Sequence, residues 1–497
     1  MAGKEKVYLA VDIGASSGRV VAGLFDGRRL ALQEVHRFTN GGFLANDRLY
    51  WDALALWGHL QDGLRKAAVT YPGRVASVGV DTWGVDYGLL GPGDELLGNP
   101  RHYRDRRTHG QLEKALQVVS REEIFAETGL QFMELNTLYQ LLAMRQENPS
   151  LLDLAESFLM IPDLFHWLLT GNKANEFTNA STTQFCNATT QTWSTELLQR
   201  FDIPTRMLGG IVHPGTDLGT LRAAVAEATG LSDVRVILPG THDTASAVMA
   251  VPATSQPGTS ADWCYISSGT WSLMGAETQA PVINDRCREL NFTNEGGIGG
   301  TTRLLKNIAG LWLLQECQRA WERQGVSRTW EEIVQLAGSA KPLASLVAPD
   351  RTEFVAPQDM PTALRRACAD TGEPVPDSDA AVARCALESL AVRYRMVLGW
   401  TEQLVGSPIN TVHVVGGGTR NQLLCQMTAD ACQRIVLAGP VEATAIGNLM
   451  MQVLADNEVA SVSEARKVIR ASFPVDEYTP GDSAPWDDAF ERLERLV

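Results

Sequence analysis

Two α/β domains are what this amino-acid sequence predicts, on three observations. Strand-like and helix-like stretches alternate along the chain. Three times an apolar strand runs into a turn of small residues: after Val7 to Val11, after Cys264-Tyr265-Ile266, and after Thr411 to Val415. A Pro-, Gly-, Ser- and Thr-rich segment, Val251 to Ser260, then divides the 497 residues into near-equal halves, as a linker would. The expected division is a domain over 1–250, a hinge over 251–260 and a domain over 261–497. Each domain would open on its own glycine turn and face the other across a cleft.

The first elements follow in order. Val7-Tyr8-Leu9-Ala10-Val11 is an apolar strand, Arg19 to Phe25 a second, and Asp26-Gly27 a hairpin signal before a third over Leu30 to Phe38. Asp52 stands where an N-cap belongs. Beyond it Leu56, Leu60, Leu64 and Ala67/Ala68 recur at helical spacing. Val75 to Val80 returns as a buried fourth strand. Toward the end of the same half, the strand Ile237-Leu238 passes through Pro239-Gly240-Thr241-His242 into a short helix from Asp243 to Met249.

Composition narrows the partners. With 44% hydrophobic and 20% charged residues the chain is ordinary for a globular protein with more than one core. Lys+Arg 43 against Asp+Glu 58 leaves a net charge of -15, which disfavours nucleic acid and anionic membrane surfaces. No run approaches the roughly 18–20 apolar residues of a membrane span, and the expected location is cytoplasmic, as a monomer or small homo-oligomer. The eight cysteines form no CxxC pair and the eight histidines no HxxxH pair, against structural zinc. Cys425 and Cys432 read as buried thiols on one helix face. Cys368 and Cys385 flank a polar loop and could bridge on oxidation.

Five segments carry candidate chemistry. In Asp12-Ile13-Gly14-Ala15-Ser16-Ser17-Gly18-Arg19 a Gly/Ser hairpin can turn amides and hydroxyls toward a phosphate, with Asp12 holding a hydrated Mg²⁺. In Asp81-Thr82-Trp83-Gly84-Val85-Asp86-Tyr87, carboxylates, a glycine and aromatic rings suit a sugar. Thr241-His242-Asp243-Thr244 lies at a helix start, where the backbone dipole would keep Asp243 an ionised acceptor. Ser268-Gly269-Thr270-Trp271 and Gly416-Gly417-Gly418-Thr419 are further glycine turns, and neither matches GxGxxG or GxxxxGK[ST]. Taken singly, each segment is equally an ordinary turn, strand end or helix cap. Asp105, between Arg104 and Arg106, reads as a solvated ion-pair cluster, and Phe132 and Asn136 as helix packing and capping.

Together and in this order, these turns resemble the FGGY carbohydrate kinases of the actin–hexokinase superfamily. The strings Thr293-Asn294-Glu295-Gly296-Gly297, Leu305-Lys306-Asn307-Ile308, Gly310-Leu311-Trp312-Leu313-Leu314-Gln315 and Ala438-Gly439-Pro440-Val441-Glu442-Ala443 extend the likeness from about Val7 to Asn448. The resemblance implies two actin/hexokinase-like (ribonuclease H-like) domains across a catalytic cleft. It implies ATP and Mg²⁺ as cofactors and a ketose, L-rhamnulose, as substrate. Ala15, Ser16, Ser17, Gly18, Arg19 and Thr270 would bind the ATP phosphates, Asn307 and Gln315 would line the nucleotide side, and Gly417 would approach the adenosine. Gly84, His242, Asp243 and Thr244 would face the sugar, with Asp243 as catalytic base. The chain departs from the pattern at Thr419-Arg420-Asn421 and in extra residues of the 251–260 segment, neither of which touches Asp243 or Gly84.

Two alternatives stay open. The same phosphate machinery serves kinases of other ketoses, such as L-fuculose or a pentulose, with selectivity set near Trp83-Gly84 and Gln131 to Tyr139. A silent sugar- or ATP-binding regulator shares the fold, but the presence of both Asp12 and Asp243 argues for a working enzyme.

Overall fold

A computed structural model describes residues 5–255, 262–355 and 357–497. Two compact units emerge: Met1–Thr259 with Glu277–Leu304 and Ala443–Ser472, and Ser260–Ala276 with Leu305–Glu442 and Phe473–Val497.

The first unit is built on a six-stranded sheet. Its strands β1 (Lys6–Ile13), β2 (Ser17–Phe25) and β3 (Leu30–Thr39) form the antiparallel meander expected from the Asp26-Gly27 turn. Asp26 accepts from the amides of Arg28 and Arg29, both at 2.7 Å, and Gly27 takes the positive φ of +92° that closes the hairpin. β4 (Val75–Thr82) lies parallel to β1, and β5 (Asp217–Thr220) and β6 (Arg235–Ile237) complete the order β5-β6-β4-β1-β2-β3. The helix Ala53–Thr70 is capped by Asp52, which accepts from the Ala55 amide, and buries Leu56, Leu60, Leu64 and Ala67 against the sheet. Burying such a side chain contributes about 1.5–3 kcal/mol, so the helical spacing of four of them accounts for the docking.

The second unit repeats the plan. β7 (Trp263–Ser268) and β8 (Trp271–Thr278) are an antiparallel hairpin, β9 (Thr411–Val415) runs parallel to β7, and β10 (Ile435–Ala438) parallel to β9. β11 (Asp476–Tyr478) closes that edge antiparallel. All eight cysteines are free and buried, Cys368 and Cys385 among them.

The compact units are not the two contiguous halves of the sequence. Glu277–Leu304 and Ala443–Ser472 return to the first unit. The helix Ala443–Ala455 does so through a polar ladder as well as an apolar face. Gln452 donates to the Leu9 carbonyl at 2.9 Å and accepts from Ser77 Oγ at 2.7 Å, while Asn448 donates to Asp81 at 2.6 Å. These bonds satisfy groups that would otherwise be orphaned in the core. Of the expected hinge, Val251 and Ala253 are buried in the first unit, and 256–260 lie outside the described residues.

Asp105 corrects one expectation. It is buried, accepting from the amides of Leu49 (2.6 Å) and Arg107 (3.0 Å) and capping the turn Arg106–Thr108. Flanking arginines suggested solvent exposure; one nearby and one distant backbone donor decide otherwise.

The helix Ala443–Ala455 crosses the helix Asp243–Met249 at a point where only glycine fits, since a Cβ on Gly447 would overlap the Ser246 carbonyl. Gly447→Ala is therefore expected to lower stability by about 2 kcal/mol or more, read as a shifted urea midpoint. An unchanged midpoint would refute this packing account.

Candidate active site

Asp243 is the first residue of its helix, and His242 takes the N-cap position without a side-chain cap bond. The turn before it is fixed from outside. Glu176, fully buried, accepts from the Thr241 amide (2.9 Å) and hydroxyl (2.7 Å), and from the Thr178 amide (2.9 Å) and hydroxyl (2.5 Å). The Thr178 hydroxyl in turn accepts from the His242 amide at 3.2 Å. On the sheet side the Thr82 amide donates to the Thr241 carbonyl at 2.9 Å. Asn179 donates to the carbonyls of both Trp83 and Thr241. The loop after β4 and the loop before Asp243 are thus held as one piece.

The loop after β4 carries Gly84. A Cβ there would press on Thr182 at 3.0 Å, and the next residue, Val85, sits at φ +66°. A β-branched residue in the left-handed region is strained and persists only where its surroundings impose it. Three side chains do so: Thr182 accepts from the Val85 amide at 3.0 Å, and Thr137 and Gln140 donate to the Val85 carbonyl at 2.6 and 3.3 Å. Asp86 completes the corner, accepting from Trp51 Nε1 (2.6 Å), Gln140 Nε2 (2.8 Å), Trp83 Nε1 (3.0 Å) and the Tyr103 amide (3.1 Å). Both oxygens of Asp86 accept from protein donors, so of the two carboxylates in this string Asp86 is a scaffold. Phe132 and Asn136 are buried nearby. Asn136 stands at the N-cap of Thr137–Glu147 without a side-chain cap bond, and its amide donates instead to Gln131 and Gln184.

Three carboxylates converge beside that corner. Asp12 on β1 and Asp81 on β4 are partners in the parallel register, and both charges act on Asp243 or on each other. Burial pushes Asp81 well above the usual carboxylate range, helped by the charge of Asp12 and opposed by the bond from Asn448; its Oδ1 is buried without a partner. Asp243 is also raised, by burial first, with His242 opposing and Asp12 adding. Loss of water and a nearby like charge outweigh the dipole of a seven-residue helix and move Asp243 up from the usual carboxylate value. Thr244 donates to Asp243 Oδ1 at 3.1 Å. Asp12 accepts from Arg19 Nε and a terminal nitrogen at 3.0 and 2.8 Å, so the Arg19 side chain is turned onto Asp12.

The hairpin between β1 and β2 is closed by the Gly14 amide on the Ser17 carbonyl (2.9 Å) and braced by Asn40, which donates to the Gly14 carbonyl at 2.7 Å. Ala15 and Ser16 are exposed at its tip. Gly18 has a packing reason as well, because a Cβ would overlap the Phe38 ring.

In the second unit three turns meet at the end of β7. The Leu311 and Trp312 amides donate to the carbonyls of Gly269 (3.1 Å) and Thr270 (3.0 Å), fixing the start of the helix Trp312–Arg323 that bears Gln315. Gly416 and Gly418 pack on Ser268, where side chains would collide, while Gly417 faces open space. Thr270, Asn307 on the strand Thr302–Ala309, and Gln315 are half-buried.

Sequence reasoning missed Glu176 and Arg303 and gave no role to Glu295 or Asn448. The one visible signal for Glu176 was a lone acid before the uncharged polar run Phe177 to Gln184.

Comparison with known proteins agrees across the whole chain. Residues 7–250 match the model of the FGGY family of carbohydrate kinases, N-terminal domain, and residues 264–455 that of its C-terminal domain. A rhamnulokinase of Bacteroides thetaiotaomicron is 44% identical, covering 99% of each chain. One of Pectobacterium atrosepticum is 42% identical over 99% of this chain and 96% of its own, and one of Bacillus subtilis is 38% identical over 96% of each. Among solved structures, the xylulose kinase of Lactobacillus acidophilus superposes with TM-score 0.80 at 17% identity, covering 98% of this chain and 96% of its own. The Plasmodium falciparum glycerol kinase with ADP superposes with TM-score 0.78 at 16% identity, covering 98% of each. These show the fold.

Burial raises Asp86 to about 6 in spite of its hydrogen bonds. An unfolded aspartate titrates near 3.9, so the folded state holds the proton more tightly and loses relative stability as pH climbs between those values. Against an Asp86→Asn control, which cannot titrate there, the wild type is expected to lose about 2 kcal/mol from pH 4 to pH 7. Urea denaturation at both pH values measures it, and a constant gap would disprove it.

Proposed function

The chain belongs to the FGGY family of carbohydrate kinases, and we propose that it transfers the γ-phosphoryl group of ATP to the 1-hydroxyl of L-rhamnulose, yielding ADP and L-rhamnulose 1-phosphate. The observation that carries this is Asp243: a partly desolvated carboxylate on a turn welded to the Gly84 corner, in a chain 38–44% identical to rhamnulokinases over nearly its full length.

Asp243 aims the sugar hydroxyl and takes its proton. The new bond forms between that oxygen and the γ-phosphorus while the bond from the γ-phosphorus to the ADP oxygen breaks. Phosphoryl transfer has a loose transition state that asks for positioning and charge neutralisation more than for early proton removal, and a carboxylate raised toward neutrality is the better acceptor when the proton finally leaves. Gly84, His242 and Thr244 line the sugar side. The hairpin from Ala15 to Arg19 and Thr270 hold the phosphates, with Asn307, Gln315 and Gly417 on the nucleotide. Oxygen donors on adjacent strands, one of them unpartnered at Asp81, suit a hard divalent cation. Asp12 would hold Mg²⁺ through water, and the ion would neutralise charge on the β- and γ-phosphates. We place the enzyme in the cytoplasm; no helix among the described residues is long and apolar enough to cross a membrane.

A panel of L-rhamnulose, L-fuculose, L-ribulose, D-xylulose and glycerol in a coupled ADP-release assay tests the substrate. L-Rhamnulose should exceed every competitor in kcat/KM by about tenfold or more, and stronger turnover of another would overturn the assignment. Asp243→Asn should retain both ligands yet lose about 10²–10⁴-fold in kcat; an unaltered kcat removes Asp243 from the mechanism.

A further inference from the structure

His242 is bracketed by ionic groups, and one of them cannot accept a hydrogen bond. Arg303, wholly buried, donates from Nε to the Gly296 carbonyl at 2.8 Å. One terminal nitrogen lies 3.1 Å from His242 Nδ1 and 3.1 Å from Glu295 Oε2. Glu295 Oε2 is itself 3.3 Å from His242 Nδ1, and on the far side of the ring His242 Nε2 is 3.5 Å from Asp243 Oδ1.

A guanidinium has donors only and keeps its protons. The ring nitrogen that meets it must present a lone pair, because two N–H groups cannot point at each other across 3.1 Å. A neutral imidazole with a bare Nδ1 carries its proton on Nε2. That end faces a carboxylate oxygen, which accepts. The opposite tautomer could donate to Glu295 Oε2 at 3.3 Å, but it would set N–H against N–H at Arg303 and lone pair against lone pair at Asp243. Glu295 balances the cation: burial pushes its carboxyl up, but the Arg303 guanidinium and His242 more than offset this and hold it below the usual range.

We infer that Arg303 is a positioning residue that locks His242 in the Nε2–H tautomer, making the imidazole a hydrogen-bond donor directed at Asp243 and at the sugar oxygen bound beside it. The second half of this rests on the proposed reading of Asp243 as the base; the tautomer does not. The donor end of His242 holds the sugar oxygen in line, while Asp243 remains the one group there able to take a proton. Arg303 reaches the substrate solely through His242.

The full-length protein labelled with ¹⁵N-histidine gives the test, His242 being identified by the signals that vanish in His242→Gln. Long-range ¹H–¹⁵N correlation of the wild type should show a protonated Nε2 and a bare Nδ1. Arg303→Met should release the lock, moving the proton to Nδ1 beside Glu295, and raise the sugar KM by about tenfold, the scale of one lost hydrogen bond, without moving the KM for ATP. Arg303→Lys, which still offers a donor to Nδ1, should restore the Nε2–H pattern and most of the sugar KM. A wild-type spectrum with the proton on Nδ1 overturns the inference, and so does Arg303→Met with the Nε2–H pattern and sugar KM intact. Should Arg303→Met fail to fold, the wild-type spectrum decides alone. An Nε2–H spectrum in a protein inactive on every ketose upholds the role of Arg303 and refutes the substrate; an Nδ1–H spectrum in an active kinase does the reverse.

Discussion

The grip of Glu176 on Thr241 is the interaction on which the candidate site depends. A buried carboxylate without partners would cost several kcal/mol or take up a proton. Glu176 collects four donors, two of them from Thr241, which offset part of the burial that still raises its carboxyl. The same four bonds dictate where the chain must be just before Asp243. Because Asn179, three residues on, also ties Trp83 to Thr241, the Gly84 corner and the turn that bears Asp243 share one support. Asp163, a neighbouring acid that accepts from the Glu176 amide, is pushed far up by burial and by Glu176. The region concentrates acidic groups whose charges are costly and whose hydrogen bonds are therefore well filled.

Charge elsewhere follows the same rule. Asp86 is surrounded by donors and has become scaffold, whereas Asp81 keeps one oxygen without a partner and Asp243 keeps partial contact with solvent. What separates a structural carboxylate from a chemical one here is whether the protein leaves a lone pair unclaimed. Glycines make these approaches possible by absence of a side chain: Gly447 lets the helix Ala443–Ala455 lie on the Asp243 helix, and Gly18 admits the Phe38 ring. Gly18 stands in a string whose small residues looked, in sequence, like a turn that faces a phosphate.

Much of the scaffold was legible. Strand and helix periods from Val7 to Val80, the Asp26-Gly27 hairpin and the Asp52 cap are local matters, governed by residues adjacent in sequence or one turn apart. The glycine turns after strands announced the α/β plan of both units. Where reading failed, the cause was a partner far along the chain. Asp105 between two arginines looked solvated until Leu49, 56 positions earlier, supplied its donor. The upward push of burial and of Asp12 on Asp243 likewise comes from outside its own helix.

By itself, then, the sequence determined the class of fold, its opening strands and helix and the candidate side chains, because periodicity, turn chemistry and residue type are encoded in short windows. Only the tertiary structure decided which of those side chains are free to act. It returned Ala443–Ser472 to the first unit, strained Val85 between Thr182, Thr137 and Gln140, and set Glu295 and Arg303 around His242. Protonation, tautomer and available lone pairs depend on desolvation and on charges a few ångströms away, and those distances exist only once the chain has folded.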